Sequence, residues 1–314
     1  MAKKVSIINF KGGVGKTTLS LHLSTYLARE NRVLVIDVDH QSSLSIVMLG
    51  GKLWERCSND RETINRIFES FCNRNVQMPG HEIISSNPFH ARSRRYDYYP
   101  NLDLVPAQFE LDDTEIELAS TTIGGPTLSE WEKRTLLASW LDAVDADENY
   151  DYIIYDCPPA TKLVSQNALA ASDCFIIPVI PDEMSTRGVT HFLNLVRNKI
   201  DAKLKFLHDA ASISVQDTPK SYVADTKAAC IVPFMAKTAG AAHSGLTNLH
   251  TRKIRELRRQ WGDLVLKPIV KNLSGVPESI DLGWPVWHSG APNASQDVIN
   301  MMKSVCREIT ENRI

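Results

Sequence analysis

The stretch Lys11-Gly12-Gly13-Val14-Gly15-Lys16-Thr17-Thr18 constrains this chain more than any other. It follows an apolar run, Val5-Ser6-Ile7-Ile8-Asn9-Phe10, with the character of a buried parallel strand, and it leads into Leu19, Leu23 and Leu27 at helical spacing. Strand, glycine loop and helix together are the context of a phosphate cradle. Glycines let backbone N–H groups turn onto phosphate oxygens, and the start of the helix adds positive potential. Lys16 is then placed to reach the outer phosphates and Thr17 to hold Mg²⁺. The chain is expected to bind a nucleoside triphosphate through Gly12, Gly13, Val14, Gly15, Lys16, Thr17 and Thr18.

Two further strands end in acids. Arg32 to Gln41 is an apolar strand closing on Asp37 and Asp39, and in open parallel sheets ligands sit at such carboxyl ends, beside the phosphate loop. Asp151-Tyr152-Ile153-Ile154-Tyr155-Asp156 reads as a Walker B strand, with Asp156 orienting the water shell of Mg²⁺. A doubly wound, mostly parallel α/β sheet with helices on both faces accommodates all three motifs. With 314 residues, 43% hydrophobic and 23% charged, the chain can bury such a sheet as one domain.

No apolar run approaches the ~20 residues of a membrane span, and Met1-Ala2-Lys3-Lys4 runs into the first strand without a signal peptide, so a cytoplasmic protein is expected. The formal net charge is -2, which leaves nucleic-acid contact to a local patch. The six cysteines, at 57, 72, 157, 174, 230 and 306, include no Cys-x-x-Cys pair, and Cys157, Cys174 and Cys230 read as small buried hydrophobes.

An ordinary P-loop carries a glycine five residues before Gly15, yet Phe10 holds that place and Lys11 stands beside it. This is the deviant Walker A form, and here the chain resembles the ParA/MinD family of P-loop ATPases. The resemblance implies that Lys11 crosses a dimer interface to the partner's nucleotide, so that two subunits sandwich two ATP molecules. It places Asp37 near the Mg²⁺ shell with Thr17 and Asp156, and Asp39 at the attacking water, which makes Lys11, Lys16 and Asp39 the catalytic set. His40 stands where family members usually carry proline, a change that alters the turn and leaves both acids in place. Cys157-Pro158-Pro159-Ala160 resembles the segment that senses the γ-phosphate, its prolines restricting the loop so that it moves as a unit.

The likeness runs on through 167–179 and Thr186-Arg187-Gly188-Val189 into a helix expected from about His191 to Ala202. On it, Arg197 falls where DNA-partitioning members carry a DNA-contacting arginine, and Lys237 lies near another basic position of that kind. Segments near 50–100 and 203–227 are less well matched; the second reads as a long polar connection. Leu264 to Val270 reads as the last strand, and 271–279 resembles the segment bordering the adenine, with Pro233, Phe234 and Asn272 as base-pocket residues. The final stretch, 294–313, reads as a packed helix.

Basic residues appear in two more places. Asn87 to Pro100 interleaves Arg92, Arg94 and Arg95 with Tyr96, Tyr98 and Tyr99, a pattern able to stack on single strands but more in keeping with a solvated crossover whose tyrosines pack down. In 251–261, Arg252, Arg255 and Arg259 share one helical face while Ile254, Leu257 and Trp261 face inward. Such a stripe attracts phosphate backbones without reading sequence.

The function expected from all this is that of an ATP-driven homodimer with Mg²⁺ that binds double-stranded DNA nonspecifically and segregates DNA or positions a protein cargo, its hydrolysis stimulated by a ParB-like or adaptor partner. Two alternatives are a MinD-like membrane-associated ATPase and a metallocluster carrier. The mixed charge of Glu308 to Ile314 argues against a membrane helix, and a strand starting at Val5 leaves no room for an N-terminal helix-turn-helix.

Overall fold

The computed structural model describes residues 1–92, 98–159, 161–239 and 245–314, apart from the side chains of Ser185 and Thr186. Its main sheet is built from β1 (Lys3–Ile7), β2 (Val33–Asp37), β3 (Ser85–Ser86), β4 (Leu102–Val105), β5 (Tyr152–Asp156), β6 (Cys174–Val179) and β7 (Lys227–Pro233). The spatial order is β3-β4-β2-β5-β1-β6-β7. Neighbours run parallel except β3, which pairs antiparallel with β4.

Side chains alternate across a strand, so a sheet covered on both faces needs apolar residues at every position. The central strand β2 complies, with Val33 and Val35 in one core and Leu34 and Ile36 in the other. The connections supply the covering helices. Before β4 come α1 (Lys16–Leu27), α2 (Ser43–Leu49), α3 (Gly51–Asn59), α4 (Asn65–Cys72) and α5 (Pro88–Arg92). Before β5 come α6 (Leu111–Ser120), α7 (Pro126–Ala143) and α8 (Ala146–Asn149); α9 (Leu163–Ala170) precedes β6. Then α10 (Glu183–Leu195) and α11 (Ala202–Ala210) lead to β7, and α12 (Asn248–Trp261), α13 (Gly275–Asp281) and α14 (Gln296–Asn312) follow it. Helices α1, α2, α13 and α14 pack on one face, and α4, α7, α9, α10, α11 and α12 on the other.

The structure corrects two expectations. The helix expected over 191–202 begins at Glu183 and continues, through a π-helical segment at Val196–Asp201, to Ala210. The first part of the expected polar connection is therefore helix, because Ile200, Leu204 and Leu207 form a buried stripe beneath its charges. The strand expected at 264–270 is reduced to isolated bridges, Ile231 with Val265 and Ala236 with Lys271. A short 3₁₀ turn over Gly262–Leu264 and Pro268, which lacks an N–H, prevent a longer ladder.

In the 87–100 segment Arg94, Arg95 and Tyr96 lie outside the described residues. Tyr99 is buried; its hydroxyl accepts from Trp287 Nε1 at 2.9 Å and donates to His288 Nδ1 at 2.6 Å. Arg92 ties α5 to the chain's far end, donating to the carbonyls of Val47, Leu282 and Gly283 at 2.6–3.0 Å.

His22 joins the same region to α1. Its Nε2 accepts from the Val286 N–H at 3.0 Å, so Nδ1 carries the proton and donates to the Thr18 carbonyl at 2.6 Å. Burial lowers the imidazole to about 4, whereas an unfolded chain takes the proton near its ordinary value of about 6.5. The native state favours the neutral ring, so this contribution is complete above about pH 6.5, drains as pH falls toward 4, and amounts to about 3 kcal/mol at most. We expect the urea midpoint of the wild type to fall across that window more steeply than that of His22→Gln.

Candidate functional site

The order β2-β5-β1 sets three strand ends side by side, with Asp37 and Ile7 each in register with Asp156. Directly beyond β1 the loop 8–15 turns into α1. Gly13 and Gly15 have φ of +68° and +91°, values that L side chains rarely adopt. No side chain caps α1 at Gly15, so the first N–H groups of the helix keep their capacity for an anion.

Gly15 is also a point of close approach: a Cβ there would lie 2.4 Å from the ring of Phe234. Phe234 is buried and holds the loop from below, and Pro233 is buried with it, while Asn272 is exposed. Gly15→Ala is expected to cost about 2 kcal/mol or more, from positive φ plus the clash, and to lower the urea midpoint without nucleotide present.

Asp156 accepts from Thr17 Oγ1 and Ser20 Oγ, both at 2.8 Å. Asp37 accepts from the Ser45 hydroxyl at 2.7 Å, the Ser45 N–H at 2.9 Å and the Asp39 N–H at 3.1 Å. Asp39 accepts from the Gln41 N–H at 3.0 Å and lies 3.8 Å from His40 Nδ1. Burial raises the carboxyl of Asp37 well above the ordinary range, and the charge of Asp156 adds to this. Asp156 is raised to about 7, again mainly by burial. Burial lowers Lys16, against the pull of Asp156 and Asp39, and its ammonium donates to the Lys11 carbonyl at 3.5 Å. Asp156 and Asp39 act on the buried Lys16, and Asp37 stands in register with Asp156. Among the described residues no three acids, cysteines or histidines form a metal-holding group by themselves, so Thr17, Asp37 and Asp156 would hold a divalent cation only together with phosphate and water oxygens. The uncapped helix start and the positive-φ glycines fit a nucleotide's phosphates.

Lys11 sits at the mouth of the loop. Its N–H donates to Asn9 Oδ1 at 3.1 Å, and its ammonium to Asp182 Oδ2 at 2.8 Å, just beyond β6. Phe10 beside it packs on α10, where a Cβ on Gly188 would meet the ring at 2.3 Å. Sequence reasoning missed Ser20, Ser45, Asn9 and Asp182. Ser20 is one helical turn from Thr17 and was within reach of a spacing argument; Asp182 lies 171 residues from Lys11 and carried no signal.

The basic residues gather elsewhere. Arg252, Arg255 and Arg259 are exposed along α12, whose inward face buries Ile254 and Leu257. Lys237 joins the first turn of this helix through its N–H, which donates to His250 Nδ1 at 3.0 Å. Arg197, exposed on the π-helical segment, lines one cavity with Trp261 at the last turn. All five cations thus border a helix about 21 Å long. Among the described residues, no helix is long and apolar enough to cross a membrane.

A family model described as an AAA domain matches residues 2–208. The sporulation initiation inhibitor protein Soj of Bacillus subtilis is 34% identical over 198 residues, 63% of this chain and 66% of Soj. The chromosome partitioning protein ParA of Myxococcus xanthus is 32% identical over 211 residues, 64% of this chain and 61% of that protein. The chain therefore spans somewhat less than two thirds of the length of these relatives. Among solved structures, a Cyanothece McdA–ATP complex has a TM-score of 0.66 at 18% identity, covering 100% of this chain and 98% of that one. A plasmid partition protein of Borrelia burgdorferi bound to AMPPNP gives 0.59 at 18% identity, covering 98% and 100%. At such identities the likeness speaks to the fold. With the family match spanning the P-loop, both acidic strand ends and the Lys11 position, this chain belongs to the AAA-domain family and, within it, to the ParA/MinD group of P-loop proteins.

Proposed function

We propose that this chain is an ATPase that dimerises around ATP, binds duplex DNA nonspecifically in that state, and partitions DNA or positions a protein cargo. The observation that carries the reading is the convergence of Asp37, Asp39 and Asp156 on a P-loop whose mouth holds Lys11. Lys16 and the backbone N–H groups at the start of α1 bind the phosphates. Thr17 and Asp156 orient the metal, with Asp37 behind them; Mg²⁺ supplies neutralisation of phosphate charge. Asp39 orients the attacking water, and Lys11 leaves Asp182 to reach the partner's phosphates. Positioning and electrostatics then supply the rate.

The names of the relatives, a sporulation inhibitor and a chromosome partitioning protein, support the partition reading, with a ParB-like or adaptor protein as the stimulating partner. The cationic border of α12 supports the DNA contact, and with it goes a cytoplasmic protein associated with the nucleoid. The test is duplex binding with ATP, ADP and no nucleotide across a salt series. ATP-dependent binding that weakens steeply with salt is expected, and single Arg255→Ala should flatten the log–log slope by about 1 for each phosphate no longer neutralised. No binding in any nucleotide state would reject the DNA part of the proposal and leave the ATPase part to turnover measurements.

A further inference from the structure

Helix α9 begins directly beyond the segment 157–161 that leaves the end of β5, and it begins without a cap of its own, since the Lys162 side chain at the N-cap position accepts no hydrogen bond. The acceptor comes from another helix. Glu115 of α6 places Oε1 2.9 Å from the Val164 N–H, in the first turn of α9, and Oε2 3.7 Å from Lys162 Nζ. A carboxylate there meets the positive end of the helix dipole and makes a charge-assisted bond. Yet Glu115 is buried, at 8% exposure. Burial raises its carboxyl above the ordinary range, against the Val164 N–H and Lys162. An apolar side chain would pack α6 on α9 without that desolvation cost, so packing alone does not call for an acid here.

The approach to α6 is fastened to the nucleotide site. The Ala107 N–H donates to Ser45 Oγ at 2.9 Å, and Ser45 Oγ donates to Asp37 Oδ2 at 2.7 Å. Further along, Gln108 Oε1 accepts from Thr63 Oγ1 at 2.6 Å, and Thr114 Oγ1 from Asn65 Nδ2 at 3.2 Å. The stretch 107–115 is thereby a brace, with the acid that ends β2 at one end and the start of α9 at the other. Across the segment 157–161, the Cys157 N–H donates to the Ile7 carbonyl at 3.2 Å. Anchors therefore stand on both sides of it, and Pro158 and Pro159 restrict the chain between.

We propose that Glu115 is a positioning residue of the nucleotide site: it fixes the start of α9, so that the segment 157–161 meets the γ-phosphate from an anchored end. This role rests on the reading of Cys157-Pro158-Pro159-Ala160 as the segment that senses the γ-phosphate. Lys162, Asp112 and His40 are the charged or titratable groups that bear on Glu115. Arg134 of α7 lines the same groove, bonded to Glu130 and Gln166.

The test compares Glu115→Gln and Glu115→Ala with the wild type in ATP affinity, turnover and hydrogen exchange of the peptide that carries Val164. Glutamine keeps the length and a carbonyl acceptor but loses the charge; alanine loses all three. We expect turnover lowered about threefold by Glu115→Gln and about tenfold by Glu115→Ala, with ATP affinity within about twofold of wild type. The ratio of wild-type to Glu115→Gln turnover should fall toward one in acid, as Glu115 takes a proton at a pH above the ordinary glutamate value of about 4.5. Asp156 titrates in both proteins and cancels in this ratio. A nonhydrolysable ATP analogue should protect 157–166 from exchange more than ADP does, and Glu115→Ala should abolish the difference. Glu115→Ala turnover within about twofold of wild type beside a lowered urea midpoint makes Glu115 a packing residue and overturns the proposal. So does a ratio that is flat with pH, or turnover that falls only in proportion to ATP affinity. If Glu115→Ala does not fold, Glu115→Gln decides by the same ratio. Should the wild type bind ATP without turnover, the ATPase reading fails and exchange decides alone: a nucleotide difference that survives in both variants overturns the role of Glu115. No nucleotide difference in the wild type rejects the γ-phosphate reading of the segment, and the role of Glu115 falls with it.

Discussion

Two inactive variants, Lys11→Ala and Asp39→Ala, are expected to restore ATP turnover when mixed. Each alone should lose about 100-fold or more, because one lacks a charge facing the phosphates and the other the group that orients water. In a mixed dimer, the site on the Lys11→Ala subunit has its own Asp39 and receives Lys11 from the other chain. The site on the Asp39→Ala subunit stays incomplete. Random reassortment makes about half the dimers mixed, each with one complete site of two, so turnover recovers to about a quarter of wild type. A lysine acting within its own chain gives no recovery, and that outcome would sink the assignment across the interface.

The geometry shows why the exchange is feasible. In the single chain Lys11 is bonded to Asp182, with both side chains about a third exposed, at 33% and 32%. A pair so open to solvent holds its lysine by no more than about 1 kcal/mol. Phosphate oxygens in a closed interface offer a stronger partner, so Lys11 can give up the first contact for the second. Lys16 has no such latitude; it is 7% exposed and confined beneath the loop. Lys16→Ala should therefore remove ATP binding itself, measured by loss of retention of a labelled nucleotide, whereas Lys11→Ala leaves much of it.

What the sequence disclosed depended on how local the physics was. Strands buried on both faces appear as continuous apolar runs, and the acids that end β2 and β5 declared the ligand edge of the sheet. The stripe of α12 was equally plain, since Ile254 and Leu257 alternate with arginines at helical spacing. The helix through 202–210 was hidden by Lys199, Lys203 and Lys205, whose charges obscure the buried Ile200, Leu204 and Leu207. No periodicity announces a π-helical turn, so the inward placement of Asp201 was illegible. The resemblance to a nucleotide-binding family offers Phe234 as a base-pocket residue, and no local pattern could show that its ring also occupies the space a side chain at Gly15 would need. Pairings across the fold, such as Lys11 with Asp182 or Tyr99 with His288, have no local signature at all.

The same limit separates arginines within α12 and shapes the second large effect. Replacing Arg252, Arg255 and Arg259 together by glutamate should weaken duplex binding about 100-fold or more near 0.1 M salt, since a dimer loses six cations and gains six anions on one face. ATP turnover without DNA should stay unchanged, because among the described residues none of the three forms a hydrogen bond or ion pair with a P-loop residue. The contributions are unequal. Arg252 is partly neutralised by Glu256 at 3.8 Å, while Arg255 and Arg259 form no ion pair among the described residues. Arg258 is the control that spacing alone could not have supplied. Its guanidinium donates to the carbonyls of Leu266 and Lys267 at 3.2 and 2.9 Å, holding the segment after the helix. Arg258→Ala should lower the urea midpoint, as loss of a charge-assisted bond to buried backbone does, with little change in the salt slope. If the triple glutamate variant instead binds duplex as the wild type does at every salt concentration, the phosphate contacts lie on another face, and the exposed arginines of α12 are only solvated.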